Sequence, residues 1–264
     1  MSPLPPKSLE ASGFHDAECA GYLADLALWL ALAETTGGPI ADLGAGTGRV
    51  SLPLAAAGHD VLAVDLDADL LAELELRAQS QGSRVRTARA DLRTLAADLP
   101  AEVPHAALVL IPMQTIQLLG GPDARRDALA GAASIALPGA ELAVSIVSEV
   151  ESFDGRNEFP SMLPPDVAVL GGYRFESTPL AVLQDGQAAP IDMHRQRVVR
   201  DATGSILGAP EDVVITLNPV TEQQLQAEAV DAGWLLGEVI SLPATDEHAG
   251  GLVLTFRLPG TDAA

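Results

Sequence analysis

The chain has 264 residues, enough for one large α/β domain or for a domain with a small insert, and 48% of them are hydrophobic, which supports a sizeable core. Its net charge of −21 excludes a surface that wraps nucleic acid or sits on an anionic membrane, unless the few arginines were concentrated on one face. Cys19 is the only cysteine, so no intrachain disulfide can form.

The charge has a plain use, solubility, and a sharper one: an acidic mouth that draws in a cationic acceptor such as an amine. One lysine, Lys7, against fourteen arginines reads as codon bias, not function. The opening MSPLPPKSLE has no apolar leader core, and residues 1–12 are expected to be loose. No run of about 18 apolar residues occurs; Tyr22 to Ala33 comes nearest and is broken by Asp25. The expected location is therefore the cytoplasm. A helix is predicted over 16–34, with Tyr22, Leu26, Trp29 and Ala33 on one stripe.

Ile40 to Leu43 suit a buried parallel strand. The run breaks at Gly44-Ala45-Gly46-Thr47-Gly48, where a missing Cβ lets a ligand approach the backbone. A helix is predicted from Thr47 or Gly48 to Ala57, closed by Gly58, with its free N–H groups aimed above the loop. Val61 to Val64 form the next strand, ended by Asp65. That acid stands 21 residues after Gly44, the spacing of a ribose-binding carboxylate. A dinucleotide fingerprint needs a third glycine where this chain has Arg49, so a nicotinamide-dependent oxidoreductase is the disfavoured rival. Asp42 argues the same way, because a pyrophosphate gains nothing from a carboxylate whereas an ammonium or a sulfonium does.

Further along, the pattern predicts a helix over Ala68–Gln79, a strand over Val85–Ala90, another over His105–Ile111 and a helix over Asp123–Ala136. A fifth strand, Glu141–Val147, is entered through Leu137-Pro138-Gly139. This alternation implies a doubly wound, mostly parallel sheet. From 149 to 219 prolines and glycines multiply. Ile191–Arg200 and Asp212–Leu217 flank the turn Asp201-Ala202-Thr203-Gly204 and read as a small antiparallel insert. Thr221 caps a helix to Ala232, stopped by Gly233, and Val239–Leu242 with Gly251–Leu258 finish as a hairpin.

The string Asp42-Leu43-Gly44-Ala45-Gly46-Thr47-Gly48-Arg49 resembles the first motif of class I S-adenosylmethionine-dependent methyltransferases. Asp65 matches the second motif of that superfamily, and Ala90-Asp91-Leu92 the third. Ala45 replaces the usual cysteine, at a position where the backbone does the binding. The resemblance covers residues 15–150 well and the rest loosely. It implies a seven-stranded Rossmann-like sheet, with 1–148 as an N-terminal helix and the cofactor-binding half, 149–219 as a β-rich cap, and 220–264 completing the domain. It implies S-adenosylmethionine as cofactor, held by Tyr22, Asp42, Gly44, Ala45, Gly46, Asp65, Leu66, Asp91, Leu92 and Ile111. Tyr22 or His15 would reach the methionine carboxylate.

The segments Ile191-Asp192-Met193-His194-Arg195-Gln196, Thr221-Glu222-Gln223-Gln224-Leu225 and Ala232-Gly233-Trp234 are similar to the C-terminal half of methyltransferases acting on amino acids, amino sugars and related metabolites. The implied activity is methyl transfer to an N or O atom of a small-molecule acceptor. A non-catalytic cofactor-binding protein, and an enzyme that transfers or cyclises another group of the same cofactor, stay as alternatives. Base-modifying members carry an aromatic after the fourth strand; Pro112-Met113-Gln114 lacks it, which again disfavours nucleic acid.

Methyl transfer from a sulfonium leaves a neutral thioether and needs no acid, so alignment and exclusion of water dominate. His194 is the candidate base in the cap, with Asp192 and Glu151 as alternatives, and Gln114 is the candidate beside the reacting methyl. Gln117 is a further substrate candidate. Arg195 pairs either an acidic substrate group or a local carboxylate, and Arg49 an acidic neighbour. The five histidines, 15, 59, 105, 194 and 248, have no zinc spacing, and no metal is assigned, although the many acids leave a magnesium site open. A homodimer is compatible with this reading, and no membrane partner is expected.

Overall fold

The computed structural model describes residues 3–100, 103, 105–147, 150–155, 163–186, 188–244 and 249–260. In chain order, α1 (Lys7–His15) runs into a π-helical turn (Asp16–Ala20), followed by α2 (Leu26–Thr36), β1 (Ile40–Leu43), α3 (Ser51–Ala56) and β2 (Val61–Asp65). Next come α4 (Ala68–Gln81), β3 (Val85–Arg89), a 3₁₀ turn (Leu92–Thr94), α5 (Leu95–Asp98), β4 (Ala106–Ile111), α6 (Thr115–Leu118) and α7 (Pro122–Ser134). Strands β5 (Ala136–Ile146), β6 (Phe153–Asp154), β7 (Asp166–Leu170), β8 (Tyr173–Gln184), β9 (Ile191–Arg200) and β10 (Ile206–Leu217) precede α8 (Glu222–Asp231), β11 (Leu235–Leu242) and β12 (Gly251–Arg257). The chain divides into two compact units, Ala24–Glu149 with Val220–Ala264, and Met1–Leu23 with Val150–Pro219.

The larger unit holds a seven-stranded sheet of order β11-β12-β5-β4-β1-β2-β3. β1 to β5 are parallel, while β12 and β11 close the sheet as an antiparallel hairpin. All four residues of β1 are buried, as a central parallel strand requires. Alternate side chains feed opposite faces. Ala41, Leu43, Val109, Ile111, Leu142 and Val144 join the α7 and α8 side; Ile40, Leu108, Leu110 and Ala143 join the α2 and α3 side with Trp29. The strand order reverses at β1, between β2 and β4, and this is where an open α/β sheet receives its ligand. The doubly wound sheet and the antiparallel insert are both as the sequence predicts.

The smaller unit is a five-stranded antiparallel sheet, β10-β9-β8-β6 with β7 paired to β8. The Gly171-Gly172 turn, both residues at positive φ, joins β7 to β8, a hairpin the sequence reading passed over. α1 lies on this sheet because Gly13 has no side chain: a Cβ there would stand 2.3 Å from the Phe175 ring. Phe14 meets Phe175 edge-on at 5.3 Å, and the Arg197 guanidinium lies 5.0 Å over Phe14. Glu18 accepts from both nitrogens of the Arg197 fork at 2.8 Å and from the Ser177 hydroxyl at 2.7 Å. Burial alone would push the Glu18 carboxyl up, but Arg197, Ser177 and Arg195 outweigh it and hold the group below its ordinary range.

Several boundaries differ from expectation. Residues 7–12 are mostly helical, not loose. The helix predicted over 16–34 is broken over 21–25, because Asp25 stands at the N-terminal boundary of α2 and turns its carboxylate inward instead of continuing a helix face. α3 starts at Ser51, since Gly48 at φ +97° cannot sit inside a right-handed helix. β5 begins at Ala136, with Pro138 and Gly139 inside an irregular stretch of the strand.

Candidate active site

At the carboxyl end of β1 the chain turns through a run of positive-φ glycines. Gly44, Gly46 and Gly48 have φ of +82°, +55° and +97°. A Cβ on Gly44 would lie 2.4 Å from Thr115 Cγ2, so α6 packs directly on the loop. The amides of Gly44 and Ala45 both donate to the Val64 carbonyl, at 2.8 and 3.0 Å, which fixes the start of the loop to β2. The Gly46 amide donates to Asp65 Oδ2 at 2.8 Å, and the Asp67 amide to Oδ1 at 3.0 Å.

Asp42 is buried at 1% exposure. Its Oδ2 accepts from the Ser51 hydroxyl at 2.6 Å, while Oδ1 has no hydrogen-bond partner among the described residues. Burial pushes this carboxyl up to about 6, against the Ser51 hydrogen bond and the Arg49 charge; the nearby Asp65 charge adds to the rise. An orphaned buried carboxylate oxygen next to a glycine loop fits an ammonium ligand, and here the residues suit the amino-acid end of S-adenosylmethionine.

Arg49, expected on a helix beside an acid, lies in the turn before α3. Its fork reaches Asp25, 24 residues upstream, at 2.5 Å to Oδ1 and 2.8 Å to Oδ2. Asp25 is fully buried and also accepts from Trp29 Nε1 at 2.8 Å. Sequence spacing gave no sign of this pair, nor of Thr115 over Gly44.

Leu66 follows Asp65 and is 54% exposed, an apolar surface beyond the end of β2. An open hollow of about 580 Å³ borders it, lined by Asp65, Leu66, Asp67, Ala68, Asp69 and Arg89. Asp91 is engaged by Arg93, whose Nε and Nη2 donate to it, and this pairing holds the Asp91 carboxyl below its ordinary range. The Asp91 amide donates to Asp98 Oδ2 at 3.1 Å, and Leu92 beside it is buried. Ile111 is fully buried at the end of β4. Met113 then takes φ +51°, the one positive value among described non-glycine residues, and Gln114 stands half-buried before α6.

Asp42, Gly44, Ala45, Gly46, Asp65, Leu66, Asp91, Leu92, Ile111 and Gln114 thus share the carboxyl edge of β1 to β4. Tyr22 and His194 belong to the other unit, Tyr22 buried just after the π-helical turn and His194 half-buried on β9. Gln117 spends its amide on a backbone: Nε2 donates to the Val147 carbonyl at 3.1 Å and Oε1 accepts from the Val147 amide at 2.8 Å. It holds the end of β5, which corrects its reading as a substrate contact. Arg195 is engaged by Ser177, Asp166 and Glu18, the local-carboxylate alternative. Asp192 accepts from Thr216 Oγ1 at 2.6 Å, Glu151 is exposed, and His248 lies outside the described residues. Among the described residues no cluster of three or more His, Cys, Asp or Glu could hold a metal ion, and no helix is long and apolar enough to cross a membrane.

Residues 40–139 match the family model described as a methyltransferase domain. No curated protein matches the sequence. Among solved structures, the CcbJ methyltransferase from Streptomyces caelestis is similar at 21% identity and TM-score 0.63, over 90% of this chain and 97% of that one. CalS10, an amino pentose methyltransferase from Micromonospora echinaspora solved with S-adenosylmethionine bound, is 20% identical with TM-score 0.61, over 97% and 99% of the two chains. The sugar N-methyltransferase KedS8 from Streptoalloteichus sp ATCC 53650 is 14% identical with TM-score 0.66, over 98% and 95%. Residues 40–139 thus match a methyltransferase domain, and the chain has the fold of these enzymes.

Proposed function

We propose that this protein is an S-adenosylmethionine-dependent methyltransferase acting on a nitrogen or oxygen atom of a small-molecule acceptor, with the amino group of an amino sugar as the first acceptor to try. The observation that carries the cofactor half of this reading is Oδ1 of buried Asp42, which has no hydrogen-bond partner among the described residues and lies beside the glycine loop. When bound, S-adenosylmethionine supplies a methyl group on a sulfonium, and its loss leaves a neutral thioether. In this reading Asp42 faces the ammonium, the Gly44–Gly46 backbone borders the amino-acid tail, and Asp65 accepts from the ribose hydroxyls. Leu66 and Leu92 flank the adenine beside Ile111, and the Asp91 carboxylate accepts from the adenine amino group.

Gln114 orients the acceptor; an amine needs only its neutral form, whereas a hydroxyl gains from a base. The β-rich unit sets acceptor choice. The neighbours named for amino pentose and sugar N-methylation favour an amine, and the charge of −21 suits a cationic amine approaching from solution. On the sequence alone, we read the enzyme as cytoplasmic and concerned with small-molecule metabolism.

Calorimetry with S-adenosylhomocysteine and with NADH tests the cofactor, and mass spectrometry of a panel of amino sugars, amino acids and hydroxylated metabolites incubated with S-adenosylmethionine tests the reaction. Homocysteine-cofactor binding and a one-methyl mass increment on an amine or hydroxyl are expected. Binding of NADH alone would overturn the cofactor; no transfer to any panel member would leave a binding protein.

A further inference from the structure

We propose that Asp25 and Arg49 are a positioning pair for the cofactor loop: they hold the Thr47-Gly48-Arg49 turn out of helix, so that the Gly46 amide stays turned to Asp65, and they keep the Arg49 charge within reach of Asp42. The proposal rests on the role given above to the Gly44–Gly46 loop and Asp42.

The geometry is that of a built brace. Both oxygens of Asp25 meet both terminal nitrogens of Arg49, at 2.5 and 2.8 Å, with side chains 0% and 7% exposed. A second donor, Trp29 Nε1, fixes the carboxylate from the α2 side. Buried ion pairs of this kind gain little over apolar residues of similar size, because desolvation consumes most of the attraction. What such a pair does supply is position: an arginine fork accepts one planar arrangement of its partner. Here the arrangement fixes the residue immediately after Gly48, where the backbone leaves positive φ and enters α3. Ahead of that point stands the Gly46 amide, whose partner is Asp65 and not a helical carbonyl.

The same guanidinium acts on Asp42. The groups bearing on that carboxylate are the Ser51 hydroxyl, Arg49 and Asp65; Arg49 is the one cation among them, and it favours the ionised form that an ammonium ligand needs. Asp25 neutralises Arg49 from behind, so the pair tunes as well as positions.

The test uses the intact chain with Arg49→Met, Arg49→Lys and Asp25→Asn. S-adenosylhomocysteine affinity is measured by calorimetry from pH 5 to 8, and amide exchange of the 42–52 segment by mass spectrometry without ligand. Arg49→Met should weaken binding between about tenfold and a hundredfold, move the pH midpoint of affinity upward, and speed exchange in 42–52 while β2 and β4 stay protected. Arg49→Lys keeps the charge, so its midpoint should stay at the parent value while affinity falls. Unchanged affinity and midpoint in Arg49→Met overturn the proposal. So does a loss that comes with uniformly faster exchange and an unmoved midpoint, which marks general destabilisation. If Arg49→Met does not fold, Arg49→Lys and Asp25→Asn decide by loop exchange, and parent-like exchange in both overturns it. A parent protein that binds no S-adenosylhomocysteine, or binds it without a pH midpoint, refutes the loop or Asp42 assignment instead; loop exchange still judges the pair.

Discussion

The backbone amide of Gly46 donates to Asp65 Oδ2 at 2.8 Å, so the carboxylate that ends β2 is turned toward the loop that follows β1. With the Asp67 amide on the other oxygen, the group is held by two backbone donors and keeps lone pairs for more. Asp65→Ala should therefore weaken cofactor binding by about 1–3 kcal/mol, through lost charge-assisted hydrogen bonds and a loosened loop. Isothermal titration with S-adenosylhomocysteine measures this, and an unchanged dissociation constant refutes the ribose role.

Asp42 carries the opposite sign of bargain. Its carboxyl is pushed up to about 6 in the fold from an ordinary 3.8, burial being the main cause. The folded state therefore holds the proton more tightly than the unfolded chain. The stability linked to that proton is fully present below the ordinary value and is lost as pH rises through about 6, roughly 3 kcal/mol in all. Asp42→Asn should raise the stability of the ligand-free protein by about 1–2 kcal/mol at pH 8, with the gain fading toward pH 4, while weakening the cofactor. Urea unfolding at the two pH values checks it; an equal gain at both shows that charge burial is not the cause.

What the sequence could reveal depended on how local each interaction is. β1 and β2 were legible because buried parallel strands are short apolar runs, here cut off by Gly44 and Asp65. α8 was legible because Thr221 and Gln224 satisfy each other's backbone amides three residues apart. Asp42, the loop and Asp65 could be read as a site because β1, turn, α3 and β2 form one contiguous unit. The rest joins distant residues. Asp25 finds Arg49 across 24 positions and breaks the predicted long helix in doing so. Gln117 finds Val147 across 30 positions, which no spacing rule anticipates. Gly13 looks like a helix defect until Phe175 covers it.

Gly44 and Thr115 are a pair of that distant kind. A Cβ on Gly44 meets Thr115 Cγ2 at 2.4 Å and Oγ1 at 2.7 Å, and the residue sits at φ +82°. Gly44→Ala thus faces two penalties, a clash and a left-handed backbone, together about 2–4 kcal/mol. Thr115→Ala removes the clash but not the backbone cost. In a double-mutant cycle read by thermal unfolding, Thr115→Ala should recover part of the loss. Strict additivity would show that the two side chains do not share the space.

The Arg125–Glu228 pair joins α7 to α8 with a two-point fork of 2.8 and 2.7 Å, and its side chains are only 3% and 6% exposed. Neither charge has much water to fall back on. Glu228→Ala strands the guanidinium and should cost about 3–5 kcal/mol, whereas replacing both residues with Met and Leu of similar bulk should cost far less or nothing. Trp234 helps to set this contrast, since its Nε1 donates to the Leu129 carbonyl at 3.0 Å and holds the turn after α8 against α7 without the ion pair. Denaturant unfolding of the single and double variants separates the cases. A double variant as unstable as Glu228→Ala would mean that the pair holds the helices together by attraction, and that the desolvation argument fails at this site.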